Sequence, residues 1–276
     1  MKAHYIREQK HICGERYMEV DLFEVTDQQH RASRRAKREL ATSLAQQKRN
    51  DAASKRYHVQ LANTNFTCAG WALTLTVNDE HRPTPGDTYA MDKLFTNYMR
   101  RIRNFCKKNE REAPRWMAVI EYDEVDEMGT VHGRPHIHMM IEGGISRDEL
   151  EMLWRDRSGD SIGLTRCEHL ELEHSSIEAL TRYMLGRKRG RPSWRQSRNL
   201  KKPKRPAPND TRWSKRALER AATDYVDDRA FWEKKYPGYT PNSIEAVPTG
   251  NGTWHVIAKM RKIDDRKQRR GRKNQP

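Results

Sequence analysis

The chain has 276 residues, long enough for one substantial core or two small ones, so a single catalytic domain with extensions fits. With 54 Lys and Arg against 38 Asp and Glu, a formal net charge of +16 and a mean hydropathy of -1.09, it is a polar, basic chain whose first expected partner is nucleic acid. No apolar run approaches the roughly 18 residues that cross a bilayer, so no membrane role is expected. The cysteines Cys13, Cys68, Cys106 and Cys167 form no C-x-x-C pair and no signal-peptide pattern opens the chain, so a reduced, cytoplasmic compartment is expected.

In chain order, residues 1–65 read as a basic, helical N-terminal extension, with a helix through "DQQHRASRRAKRELATSLAQQKRNDAASKRYHVQLAN" whose apolar stripe is thin. A compact domain follows over residues 66–203. It begins at "WALTLTV", where Leu73, Leu75 and Val77 alternate with Thr74 and Thr76 as in a half-buried strand. Asp87 then caps a helix whose Met91, Leu94, Phe95, Tyr98, Ile102 and Phe105 recur at spacings of three and four. "RWMAVIEY" and "PHIHMMIEGG" read as two antiparallel strands joined by the long acidic loop "DEVDEMGTVHGR". Two S-x-x-E capping boxes, Ser146 with Glu149 and Ser175 with Glu178, open two short helices, and "TRCEHLELE" between them alternates like an edge strand. This order predicts an α+β fold, a central antiparallel sheet with helices packed on one face.

From Gly186 the chain becomes the basic run "GRKRGRPSWRQSRNLKKPKRPAP". Residues 204–258 form an extension with one charged helix over 213–235 and a hairpin in "SIEAVPTGNGTWHVIAKMRK" that turns at Thr249 to Gly252. Residues 259–276 end the chain as a basic, disordered tail.

"GRPHIHMMIEGG" carries the chemistry. On a strand, alternate residues share a face, so His136 and His138 point together, away from Ile137, Met139 and Ile141. Two imidazoles need a third group to hold a divalent ion with open positions, and Glu121, near the end of the preceding hairpin strand, is the candidate. Tyr183 in "IEALTRYMLGRKRG" stands at the margin of its helix's apolar stripe, just before the basic run. A phenol with a pKa of about 10 is a weak nucleophile, but a metal that draws charge from a phosphodiester would activate it.

The three elements "ALTLTV", "GRPHIHMMI" and "LTRYML", in that order, resemble the motifs of the HUH endonucleases, the replication initiators (Rep) of rolling-circle plasmids and phages. The resemblance covers about residues 57–203 and implies a ferredoxin- or RRM-like core. It implies that His136 and His138 with Glu121 bind Mg²⁺ or Mn²⁺ and that Tyr183 attacks single-stranded origin DNA. The products would be a 5′-phosphotyrosine link and a free 3′-OH for a host polymerase, with host helicase as a further partner, in a bacterial cytoplasm. Many relatives carry a lysine three residues after the tyrosine. Gly186 stands there in this chain, so Arg187 or Lys188 is expected to supply the cation. Trp194, with Arg195, Arg198, Lys201 and Lys202, resembles a surface that stacks a base and contacts phosphates. A single-strand transposase of the same superfamily and a non-catalytic nucleic-acid-binding protein are the competing expectations.

Overall fold

The computed structural model describes residues 4–25, 44–172, 174, 176–186, 193–250 and 252–263. Two compact units result, Asn65–Glu173 with Ile177–Lys201, and Met1–Thr64 with His174–Ser176 and Lys202–Pro276. Each holds a five-stranded antiparallel sheet, and the described residues include six helices, an α+β architecture with no closed barrel.

In the first unit the strand order is β8-β3-β7-β4-β9. Here β3 is Trp71–Thr76, β4 Arg115–Glu121, β7 His136–Glu142, β8 Thr165–His169 and β9 Ser193–Gln196. The histidine strand β7 is therefore central. The loop from β4 to β7 carries a two-stranded ribbon, β5 (Glu124–Val125) with β6 (Val131–His132). One face of the sheet presents Leu73, Leu75, Ala118, Ile120, Ile137, Met139 and Ile141. Against it pack helix α2 (Thr88–Lys108), through Met91, Phe95, Tyr98 and Ile102, and helix α3 (Arg147–Met152) with Trp154 beyond its end. Both helix starts are capped as their sequences require: Asp87 accepts from the Ala90 amide, and Ser146 with Glu149 closes a full capping box. Ser175, expected to cap the next helix, lies outside the described residues.

That helix, α4 (Glu178–Gly186), is on the other side of the sheet. Its Leu180, Tyr183 and Met184 line one cavity together with Ala72, Thr74 and His138. The expectation of helices on one face is thus corrected, for a reason visible in the strands: Met117, Val119 and Met140, on the histidine face, are also fully buried and need a cover. Gly163 sets the approach of the β8 edge to β3. A Cβ there would meet the Thr76 carbonyl oxygen at 2.2 Å, where Thr76 and Asn78 amides bond to Leu164 and Ile162 carbonyls.

The second unit corrects the reading of the N-terminus. Tyr5–Cys13 (β1) and Tyr17–Val25 (β2) are strands in unbroken antiparallel register, turning at Gly14 with φ +67. Only Leu44–Asn65 (α1) of that region is described as helix; residues 26–43 lie outside the described residues. The sheet order is β10-β1-β2-β12-β11, with β10 Asn209–Trp213, β11 Tyr239–Pro248 and β12 Trp254–Lys262. Strands of the N-terminal hairpin are paired by strands more than 200 residues later, Ile6 with Trp213 and Met18 with Met260. Residues 213–235, expected as one helix, are two, α5 (Lys215–Thr223) and α6 (Arg229–Lys235), the second opened by an Asp228 cap. They bury Leu218, Ala221 and Trp232 with Val20, Leu22, Val256 and Ala258.

The opposite face of this sheet is polar. Glu19 and Asp21 of β2 accept the Arg56 guanidinium of α1 at 2.5 and 2.6 Å, and Gln60 donates to Glu19 at 2.8 Å. The thin apolar stripe of α1 thereby has its explanation: the helix docks through a charged layer.

Candidate metal centre and tyrosine

Antiparallel register places the site. Glu121 stands directly opposite His136 in the β4–β7 pair, and Val119 opposite His138. Directly paired residues share a face, so Glu121, His136 and His138 converge although 15 or more residues separate the carboxylate from the imidazoles in sequence. Glu121 Oε2 is 3.2 Å from His136 Nε2, and Oε1 is 3.6 Å from His138 Nε2. One ligand atom from each of the three lies within 4.8 Å of the others, a group that could hold a metal ion.

The rings are held by what surrounds them. His136 Nδ1 lies 2.8 Å from the Arg134 carbonyl, which can only accept, so Nδ1 carries the proton and a neutral ring offers Nε2 to the cluster. His138 Nδ1 meets Thr74 Oγ1 at 3.1 Å across the β3–β7 pair. Sequence reading missed Thr74 as a supporting group, although its place opposite His138 follows once β3 and β7 are paired. Glu121 Oε1 is buried and receives no hydrogen bond. A buried carboxylate oxygen without a donor is costly unless a cation meets it, so the residues fit a divalent ion.

Tyr183 stands over this cluster. Its ring is 5.5 Å from that of His138, edge-on, and it is 45% exposed, so one side meets the site and the other meets solvent. A cavity of about 180 Å³ opens beside it, walled by Thr74, His138, Tyr183, Met184 and, from the β8 edge, Arg166 and Glu168. Arg166 pairs opposite Thr74 and so joins the same face.

The other expected site residues divide. Arg187 and Lys188 lie outside the described residues. Trp194 pairs with Val119, which puts it on the histidine face. Arg195, one residue on, faces the opposite way and pairs with Asp92 of α2. The expectation that Arg195 contacts DNA alongside Trp194 is corrected by the strand's own period of two. Arg198, Lys201 and Lys202 are exposed beyond β9, where the Lys201 backbone is fixed by Asn65.

A five-stranded antiparallel sheet with a two-imidazole, one-carboxylate cluster on its central strand, faced by a helix-borne tyrosine, defines a metal-binding α+β domain with a nucleophile candidate at hand. Residues 70–188 match the family model of the replication-associated protein ORF2, a span that takes in β3, the hairpin with all three cluster residues, and Tyr183. No curated protein and no solved structure matches the chain. Among the described residues no helix is long and apolar enough to cross a membrane.

Proposed function

We propose that the chain is a replication initiator of the HUH type that nicks single-stranded origin DNA with Tyr183 and remains joined to the 5′ side of the nick. The observation that carries this reading is the Tyr183 ring edge-on to His138 at 5.5 Å, beside a carboxylate oxygen that has no other partner. The match to a replication-associated family over the same residues supports it.

His136 Nε2, His138 Nε2 and a Glu121 oxygen would hold the ion, Mg²⁺ or Mn²⁺. When bound, such an ion withdraws charge from a non-bridging phosphate oxygen and fixes the phosphate in place. Tyr183 Oη attacks phosphorus and loses its proton to water. The bond from phosphorus to O3′ breaks in line, and O3′ leaves as the free 3′-hydroxyl after taking a proton. The phosphodiester energy is retained in the phosphotyrosine bond, so the same 3′-hydroxyl can reverse the step and reseal the strand. Arg187 and Lys188, next after the helix, would steady the phosphate. Trp194, on the same face of the sheet, would stack a neighbouring base. A cytoplasmic initiator of this kind hands its 3′-hydroxyl to host polymerase and helicase.

The test mixes the full chain with single-stranded oligonucleotides from its own replicon, with Mn²⁺ or with chelator, and runs a denaturing gel. The expected result is a protein–DNA adduct that needs the ion and is absent in Tyr183→Phe. Tight, salt-sensitive binding without an adduct would overturn the catalytic reading, and an adduct that survives Tyr183→Phe would remove Tyr183 as its nucleophile.

A further inference from the structure

The second unit has a cavity of its own, about 360 Å³, lined by Asp21, Phe23, Arg56, Thr249, Thr253 and His255. That volume falls in the range of small-ligand sites, about 300–1,000 Å³. We infer that it receives one unpaired base of the bound strand, guanine by preference. This rests on the single-stranded DNA reading above and adds to it a base-reading site outside the nicking domain.

Hydrogen-bonding capacity decides the class of ligand. Asp21 is saturated: Oδ1 accepts from Arg56 Nη1 at 2.6 Å and from His255 Nε2 at 3.1 Å, and Oδ2 meets His11 Nε2 at 3.0 Å. Arg56 Nε and Nη1 are spent on Glu19 and Asp21, while its Nη2 is buried with no hydrogen-bond partner. The wall therefore offers a spare donor and no spare carboxylate acceptor. A phosphate gains little here, because the Arg56 charge is already matched by two carboxylates and Lys259 by Glu245. A neutral acceptor edge gains a hydrogen bond without bringing a charge past Asp21 and Glu19. The O6 and N7 edge of guanine is the base edge that arginine donors read most often. The half-buried Phe23 ring, edge-on to His255 at 5.9 Å, adds the flat apolar wall on which a base packs.

The test uses two short uncut strands of equal length, oligo(dT) and the same strand with its central base replaced by guanine, with the full chain in chelator at raised salt. Fluorescence anisotropy reads both affinities. The wild-type chain should favour the guanine strand by about tenfold, the size of one good arginine–guanine pair. In Phe23→Ala and in Arg56→Lys, which keeps the charge against Glu19 and Asp21 but loses the fork, the ratio should fall towards one. Equal affinities in the wild-type chain, or an undiminished ratio in either variant, would overturn the inference. No adduct chemistry enters this measurement, so a chain that never joins DNA covalently yet prefers guanine would keep this site and lose the nicking reading.

Discussion

The two sheets have the same strand count and the same division into an apolar and a polar face, yet they treat buried carboxylates in opposite ways. In the second unit every buried carboxylate among the described residues is answered. Glu8, 2% exposed, accepts from Trp213 Nε1 at 2.8 Å, Tyr236 Oη at 3.2 Å and Arg212 at 3.2 Å, and Glu19 and Asp21 share Arg56. In the first unit, Glu121 keeps one buried oxygen without a donor beside two imidazoles. Buried polar groups are ordinarily satisfied, so the exception marks the place where the chain awaits something it does not itself contain. Polarity alone marks nothing: the face with more charges is the structural one.

The largest expected effect breaks the satisfied face. Arg56→Ala leaves Glu19 and Asp21 buried without their cation, and removing one partner of a buried pair costs about 3–5 kcal/mol. The lower end is expected here, because the Arg56 side chain keeps 22% of its surface in solvent. Glu121→Gln, in contrast, should leave the urea unfolding midpoint unchanged or raise it, since it removes a carboxylate that nothing in the chain requires. A fall in stability for Glu121→Gln as large as for Arg56→Ala would erase the distinction.

Acid sharpens the same contrast. Burial alone would raise the Asp21 carboxyl, but hydrogen bonds from His11 and His255 and the Arg56 charge overcome it and hold it far below the ordinary carboxylate range. Its folded pKa lies below its unfolded value of about 3.9, so its contribution is complete above that value and drains away as pH falls beneath it. Urea midpoints taken from about pH 6 down to pH 3 should show a drop below about pH 4 that is smaller in Asp21→Asn.

Supplying the missing partner of the other face comes next in size. An ion that binds only the folded cluster stabilises it by about 2.7 kcal/mol at a hundredfold excess over its Kd. Thermal unfolding should therefore shift upward with Mn²⁺ in the wild-type chain and stay flat in His136→Ala, His138→Ala or Glu121→Ala. An equal shift in those variants would place the ion elsewhere.

How much of this was legible in the sequence depended on how local the signal was. Glu121, His136 and His138 were predicted together because a strand's period of two and one hairpin suffice to converge them, all within residues 121–138. The N-terminal hairpin was not, although Met18, Val20 and Leu22 alternate correctly in "YMEVDLFEV". Its other face carries Glu19 and Asp21, which read as solvent charges until Arg56 and His255 arrive from distant segments. Its pairing strands come from β10 and β12, and no local pattern announces contacts of that range. The break at residues 224–228 had a signal, the Asp228 cap, that the charged run concealed. Arg195 was misread for want of a strand assignment: once β9 is a strand, Trp194 and Arg195 must face opposite ways.

That alternation gives the smallest effects and the finest test. Trp194→Ala, which removes an aromatic ring from the histidine face, should weaken single-stranded DNA binding by about 1–3 kcal/mol, the worth of one stacked base. Arg195→Ala breaks only the partly exposed pair with Asp92 and should cost under about 1 kcal/mol of stability, with DNA affinity unchanged. The salt dependence separates cations that meet phosphate from those that do not, since each neutralised phosphate of a single strand adds about 0.7 to the slope of log K against log salt. Arg198→Ala, Lys201→Ala and Lys202→Ala, all exposed in one run beyond β9, should each lower that slope by about that amount, and Arg195→Ala by nothing. A slope that falls for Arg195→Ala as for the other three would mean that the whole run binds as an unstructured basic tail, and that the pairing of β9 with β4 plays no part in holding the strand.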